Sequence, residues 1–406
     1  MHIVKVLFLP WAIPPHYYPM VPLIWASRLA GHEVRVAGQK SVAGAIAASG
    51  MAAITVGEAY DPIKVWDERA PIAAAHFQRK EGGAEPTPEE RARLADRIDE
   101  LMGEPYIRSA EAMAEDLVPF ARAWRPDLVV SDPLVLAAPV VAQAVGVPLV
   151  HHMDGTLVTP EFGFPGRRLY QGPWAGDLAK VYARYGLEMG GGEAVRNIDP
   201  CPDVLQIDGI PNRVPIRYVP YNGSAVAPDW LREPTTRPRV CVTRGITTSQ
   251  ALGTVGDLVP QIIANLADLD VEVVVTVKKA DAGLVTEEPG KVRVAEELPL
   301  NVLLPGCDAI IHQGGTGTML TAARYGVPQI TITKIPGQVA NGAALAGTGA
   351  GLNLHLDSVE QADIRSAAAQ ALSDGPLRES ARRLADQVLA QPSPPAEVVA
   401  VLEGLA

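Results

Sequence analysis

The stretch Ile310-Ile311-His312-Gln313-Gly314-Gly315-Thr316-Gly317-Thr318 decides how this chain is read. An apolar run through Ile311 gives way there to a helical pattern from Met319 onward. A strand, a glycine-rich turn and a helix aim backbone N–H groups and the positive end of a helix dipole at an anion. Three glycines let the backbone approach a phosphate with no Cβ in the way. His312, Thr316 and Thr318 add side-chain donors. The plainer alternative is a tight β–α turn whose glycines only relieve strain.

Outward from this turn, both halves of the chain show one rhythm. In the second half the pattern predicts strands at 239–243, 271–277, 291–294, 309–312 and 329–333, with helices at 256–266, 302–304 and 319–325. In the first half it predicts strands at 2–9, 32–37, 126–132 and 147–151, and helices at 23–30 and 139–145. Residues 10–22 read as a loop. Thr87-Pro88-Glu89-Glu90 combines an N-cap, a first-turn proline and a capping-box glutamate, so it opens a helix running to about Met102. Short apolar strands alternating with helices indicate βαβ units and a parallel sheet. The expected class is α/β, with two Rossmann-like domains facing each other across a cleft and ligands at the carboxyl ends of the strands. The domains are placed at 1–215 and 239–385, joined by the Pro- and Gly-rich segment 216–238.

At 406 residues the chain is comfortable as two domains. The net charge of −11 argues against nucleic acid or an anionic membrane as partner. No run approaches the roughly 20 apolar residues of a membrane span. The opening MHIVKVLFLPWAIPP lacks a basic n-region with a small-residue cleavage site, and reads as a buried first strand. Cys201, Cys241 and Cys307 are odd in number and far apart, so neither a disulfide framework nor a zinc site is indicated, and a cytoplasmic setting fits.

The first strand runs into Pro10-Trp11-Ala12-Ile13-Pro14-Pro15-His16 instead of GxGxxG, which counts against a dinucleotide oxidoreductase. GxxxxGK[ST], HExxH and GxSxG are absent as well. Asp268-Leu269-Asp270 imitates a metal-binding DxD but lies at a helix end, where a solvated cap is the simpler role. His16 and Asp132 follow two different predicted strands and would face one crevice. A histidine beside a carboxylate makes a general base, since the carboxylate fixes the tautomer and stabilises the imidazolium. The alternatives are a loop histidine bonded to backbone and, for Asp132-Pro133, a turn start. His151 and His152 point to opposite faces of a strand, so joint metal ligation is awkward. Lining a substrate pocket, or plain structure, is the simpler role for this stretch, Met153 and Asp154 included. Residues 57–86 are long for a connection and read as a mobile loop, with Tyr60, Trp66 and Phe77 either lining a planar site or anchoring the loop.

In order along the chain, PHYYPMVPLIWASRLAGHEVRVA, RPDLVVSDP, DPCP, RYVPYNG, RVCVTRG, LPLNVLLPGCDAIIHQGGTGT and PSPPAEVV resemble actinobacterial antibiotic glycosyltransferases. These are family 1 enzymes of GT-B fold that decorate polyketides, including macrolides and angucyclines. The resemblance covers essentially the whole chain. It implies inverting, metal-independent transfer of a deoxysugar from a dTDP-sugar to a polyketide aglycone, forming a C–O or a C–C bond. It implies His16 as base and Asp132 as its supporting acid, the aspartate itself being the base in some C-glycosylating members. It places His312, Gly315, Thr316, Gly317 and Thr318 on the donor diphosphate, with Gly245 in the loop above the phosphates and main-chain contacts from Leu298 on the nucleobase. It also sends residues 386–406 back to the N-terminal domain as a helix. No permanently bound cofactor and no metal is implied. A helper protein resembling a heme monooxygenase and a homodimer are left open as partners.

Three positions depart from the family pattern. Gln313 stands where a second His or a small residue is usual, and an aromatic near Glu297 for base stacking is missing. Gly337-Gln338 replaces a sugar-binding Asp-Gln pair, a loss that a donor with fewer hydroxyls would feel less. A sugar-nucleotide epimerase of the same fold and a non-catalytic glycosyltransferase-like accessory protein are the competing readings. Retention of both His16 and Asp132 counts against the second.

Overall fold

The computed structural model describes residues 2–65, 68–69, 87–155, 170, 173–190, 192–245 and 258–406. Its first strand, β1 (Lys5–Leu9), shows why the sheets are buried on both faces. Val6 and Phe8 enter one apolar cluster, while Leu7 and Leu9 enter the cluster on the opposite side. Alternate residues of a strand point to opposite faces, so an all-apolar strand needs helices on both.

Along the chain follow β2 (Glu33–Gly38), β3 (Ala53–Thr55), β4 (Leu128–Ser131), β5 (Leu149–His152), β6 (Arg196–Asp199) and β7 (Arg213–Pro215). Among the described residues these form one parallel sheet in the order β3-β2-β1-β4-β5-β6-β7. A second parallel sheet holds β8 (Arg239–Thr243), β9 (Glu272–Val277), β10 (Val292–Glu296), β11 (Ala309–His312), β12 (Gln329–Thr333) and β13 (Gly351–His355), in the order β10-β9-β8-β11-β12-β13. The strand order reverses between β1 and β4 in the first sheet and between β8 and β11 in the second. Open parallel sheets bind ligands at such reversals, outside the carboxyl ends of the strands.

Three local expectations differ from the structure. Residues 10–22 are largely helical: Pro14–Tyr17 forms a short helix, Tyr18–Met20 a 3₁₀ turn, and Val21–Leu29 the following helix. Prolines in the first turn of each element set φ for a helix where no N–H partner is needed. The helix opened by Thr87 does not stop near Met102 but runs over Pro88–Trp124, through Pro105 and Pro119. Ile107, Ala110, Met113, Ala114, Leu117, Val118 and Ala121 pack into the core, and that burial outweighs the hydrogen bonds the prolines remove. The helix after β11 begins at Thr316, three residues early, so Thr316, Gly317 and Thr318 form its first turn.

The two sheets are tied by side chains from outside them. Cys201, Leu205 and Tyr218 pack with Met319, Leu320 and Ala323 of the helix Thr316–Arg324. Val398, Val399 and Leu402, at the end of the chain, pack with Val6, Phe8 and Ile24 of the first sheet's layer.

Candidate active site

His16 lies on the short helix after β1, and Asp132 directly follows β4. Because β1 and β4 are neighbours, the two meet: His16 Nδ1 is 2.7 Å from Asp132 Oδ2. Asp132 is itself pinned, its Oδ1 accepting from the Leu134 N–H at 2.8 Å. The second ring nitrogen, Nε2, lies 3.9 Å from Oδ2 of Asp154, which follows β5. That distance is too long for a hydrogen bond but close enough for strong charge interaction. His16 is 17% exposed, Asp132 2% and Asp154 19%, so the ring is sealed on its Asp132 side. Burial alone lowers the imidazole pKa, but the charges of Asp132 and Asp154 and the Asp132 hydrogen bond outweigh it, raising the value from 6.5 to about 9.

The second cluster sits at the carboxyl ends of β8 and β11. The first hydrogen bond of the helix Thr316–Arg324 runs from Met319 N–H to the Gly315 carbonyl at 2.9 Å. The amides of Thr316, Gly317 and Thr318 therefore lie outside the helix's own ladder and face its N-terminal end. Gly314 has φ +86, and a Cβ there would lie 2.9 Å from the Gln338 carbonyl oxygen and from Thr333 Cγ2. The turn is thus possible only with glycine at that position. Three side chains outside the quoted motif hold it. Asn341 Nδ2 donates to the Gly314 carbonyl at 2.9 Å and lies 3.1 Å from Thr316 Oγ1. Tyr218 OH lies 3.0 Å from Thr321 Oγ1 and 3.2 Å from the Gly317 carbonyl. Asn222 Nδ2 donates to Thr321 Oγ1 at 3.2 Å. Their signal in sequence is faint, since a lone Asn or Tyr far from a motif carries no spacing to read.

His312, which the resemblance places on the donor diphosphate, is part of the framework of the turn. It is 2% exposed, and both ring nitrogens are committed within the protein. Gly314 N–H donates to Nδ1 at 3.1 Å, and Nε2 lies 3.0 Å from Gln329 Oε1. Gln329 in turn donates from Nε2 to the Met319 carbonyl at 3.2 Å, so the proton of His312 resides on Nε2. Burial lowers the His312 pKa to about 4, against the pull of the Gln329 bond, which leaves the ring neutral at pH 7. It shapes the turn through Gly314 and brings no charge. Gln313 is the side chain between the two glycine loops, with its amide packed where a Cβ on Gly245 or Gly315 would sit.

The two clusters meet at Gly155. It has φ +89, and a Cβ there would lie 2.6 Å from Leu320 Cδ1 and 3.1 Å from Thr316 Cγ2. One residue from Asp154, the first sheet's loop therefore abuts the first turn of the helix Thr316–Arg324. Of the other singled-out residues, Met153 is buried and Leu298 is in the core of the second sheet, where its side chain packs and only its main chain is left to contact a ligand. Gly337 and Gln338 begin the helix Pro336–Gly347. The ring of Tyr60 is near Glu104, Arg69 and Arg108, which places it against the long helix. Trp66 and Phe77 lie outside the described residues. His151 and His152 are both lowered to about 4 by burial. His151 Nδ1 pairs with Asn197 Oδ1 at 3.2 Å and His152 Nδ1 with the Met153 carbonyl at 2.9 Å, so both serve the frame of β5.

Known proteins are similar to this chain along nearly its whole length. Two family models match: the erythromycin biosynthesis protein CIII-like N-terminal domain over residues 25–245 and the corresponding C-terminal domain over 260–405. The chain is 35% identical to the 10-deoxymethynolide desosaminyltransferase of Streptomyces venezuelae, over 99% of this chain and 97% of that protein. Its fold is similar to the glycosyltransferase VinC in complex with dTDP, with a TM-score of 0.79, 29% identity and coverage of 98% and 99% of the two chains. The spinosyn rhamnosyltransferase SpnG complexed with spinosyn aglycone is similar with a TM-score of 0.76 and 28% identity, over 98% of this chain and all of that one.

Proposed function

The chain belongs to the erythromycin biosynthesis protein CIII-like family and is a glycosyltransferase, and from that premise we propose that it moves a deoxysugar from a dTDP-sugar to a polyketide aglycone, inverting the anomeric centre without a divalent metal. The observation that carries this reading is the junction at Gly155, where the His16 cluster and the helix N-terminus adjoin. A nucleophile held at one and a leaving group held at the other would lie on opposite sides of one anomeric carbon, the geometry of a single displacement.

In this reading His16 Nε2 takes the proton of an acceptor hydroxyl, or of a phenol whose ortho carbon attacks and then loses its own proton to water as the phenol oxygen is reprotonated and the ring becomes aromatic again. The electron pair freed on the acceptor forms the new bond to the anomeric carbon. The bond from that carbon to the diphosphate breaks, and its electron pair leaves on the phosphate oxygen. Asp132 holds the Nδ1 side of the ring, so the imidazolium that forms already has its counter-charge. The amides of Thr316, Gly317 and Thr318 and the dipole of their helix meet the charge that builds on the leaving group. Gly245 and Gly315 line the same crevice, Leu298 offers main-chain contacts to the base, and Met153 and Asp154 border the acceptor.

Gly337-Gln338 supplies one amide and no carboxylate to the sugar, which supports a deoxysugar over a fully hydroxylated donor. Incubating the protein with dTDP-deoxysugars and polyketide aglycones, with dTDP-glucose alongside, tests the proposal by mass spectrometry. Better use of the glucose donor would refute the sugar assignment, and equal turnover with and without EDTA is expected. Acid stability of the product separates a C–C from a C–O bond.

A further inference from the structure

Resting on the donor reading above, one side chain beside the second sheet has a charge that no described residue answers. Arg244 directly follows β8, at the strand-order reversal beside β11. It is mostly buried, yet among the described residues its guanidinium has no ion-pair, hydrogen-bond or aromatic partner. Other cations of this sheet are answered: Arg239 and Arg293 by Glu272, Lys334 by Asp357, Arg378 by Asp308. The neighbouring Gly245 packs on Gln313, whose amide also borders Gly315, so the 244–245 backbone is one side chain away from the Gly314–Thr318 turn.

The turn leaves a charge imbalance. A departing nucleoside diphosphate carries at least two negative charges, while a helix N-terminus offers the equivalent of about half a positive one. His312 is neutral. We propose that Arg244 is a binding residue for the diphosphate of the donor, its planar guanidinium pairing with phosphate oxygens across from the Thr316–Thr318 amides. A guanidinium fork matches two phosphate oxygens at once. A largely desolvated cation without a partner costs stability in the free protein, and an anionic ligand removes that cost on binding. Burial also lowers the Arg244 pKa from its ordinary value, as an unanswered cation requires, though arginine stays charged at neutral pH.

Calorimetric titration of the full chain tests this without any acceptor. The probes are dTDP, thymidine and inorganic pyrophosphate, against wild type, Arg244→Met and Arg244→Lys. Arg244→Met is expected to weaken dTDP by about 10- to 100-fold, the scale of charge-assisted hydrogen bonds. Thymidine affinity should hold, and Arg244→Lys should recover part of the loss. Pyrophosphate distinguishes recognition of the diphosphate alone from recognition that needs the nucleoside, and its weaker binding should also depend on Arg244. The Tm of Arg244→Met without ligand should be unchanged or higher, because an unanswered charge is removed. Equal dTDP affinity in wild type and Arg244→Met overturns the assignment, as does a collapse in Tm. Wild type that binds dTDP no better than thymidine overturns the donor reading itself, and the Arg244 assignment with it.

Discussion

His16 and His312 each stand at the strand-order reversal of their sheet, His16 on the helix after β1 and His312 at the end of β11. One lies between two carboxylates and is raised to about 9, while the other is sealed against a glutamine and a backbone amide and lowered to about 4. At neutral pH the first ring is a cation and the second is not. In the proposed reading the first takes a proton through Nε2 once it is neutral, while both nitrogens of the second are hydrogen-bonded within the protein. Two histidines beside strand-order reversals thus sit in opposite environments, and the difference lies in neighbours brought from distant parts of the chain.

The sharpest way to break this contrast is to remove each ring. His16→Ala should lower kcat by roughly 10²- to 10⁴-fold, the contribution of a positioned base, with little change in dTDP affinity. His312→Ala should act through the turn: weaker dTDP binding and a loss of stability of about 1–3 kcal/mol from an opened buried network, readable by calorimetry and chemical denaturation. Equal kinetic signatures from the two variants would erase the distinction.

The middle-sized effect concerns pH. A base must be neutral to accept a proton, so kcat/KM should climb about tenfold per pH unit toward pH 9 and then level, following His16 in the free enzyme. Asp154→Asn removes one of the two carboxylates facing the ring, so the bend should move to lower pH. A bend that stays in place would show that Asp154 does not influence His16.

The smallest effect is on stability. His16 binds its proton more tightly folded than unfolded, so its ion pair stabilises fully below pH 6.5 and fades as pH rises through about 9. His151, His152 and His312 are the reverse: neutral when folded, they contribute fully above pH 6.5 and lose that contribution as pH falls toward about 4. The Tm should therefore drop on both sides of a plateau. His312→Gln should flatten part of the acid side and leave the alkaline side alone.

How far the sequence could be read follows from the range of each interaction. The inner strands and the glycine turn are local patterns, and the pairing of His16 with Asp132 follows from strand-end position, whereas the short or less apolar strands β3, β6, β7 and β13 carry no such pattern and were not expected. The long helix Pro88–Trp124 was cut short because Pro105 is a local stop sign, whereas its continuation depends on core contacts. The motif sets His312 beside a phosphate loop, while its contact with Gln329, seventeen residues on, has no signal in the motif. Asn341, Tyr218 and Asn222, which fix the turn, come from segments with no shared spacing.

The central claim is that the His16 cluster and the Gly314–Thr318 turn act on one glycosyl group across Gly155. Its most direct test is Gly155→Val, assayed for deoxysugar transfer to an aglycone and, separately, for dTDP binding. The positive φ and the contact with Leu320 and Thr316 leave no room for the side chain, so the clusters must separate. The account expects transfer to fall by at least about tenfold while dTDP binding persists, since a small misplacement of reacting groups is costly. Transfer at the wild-type rate in a folded Gly155→Val protein would contradict it.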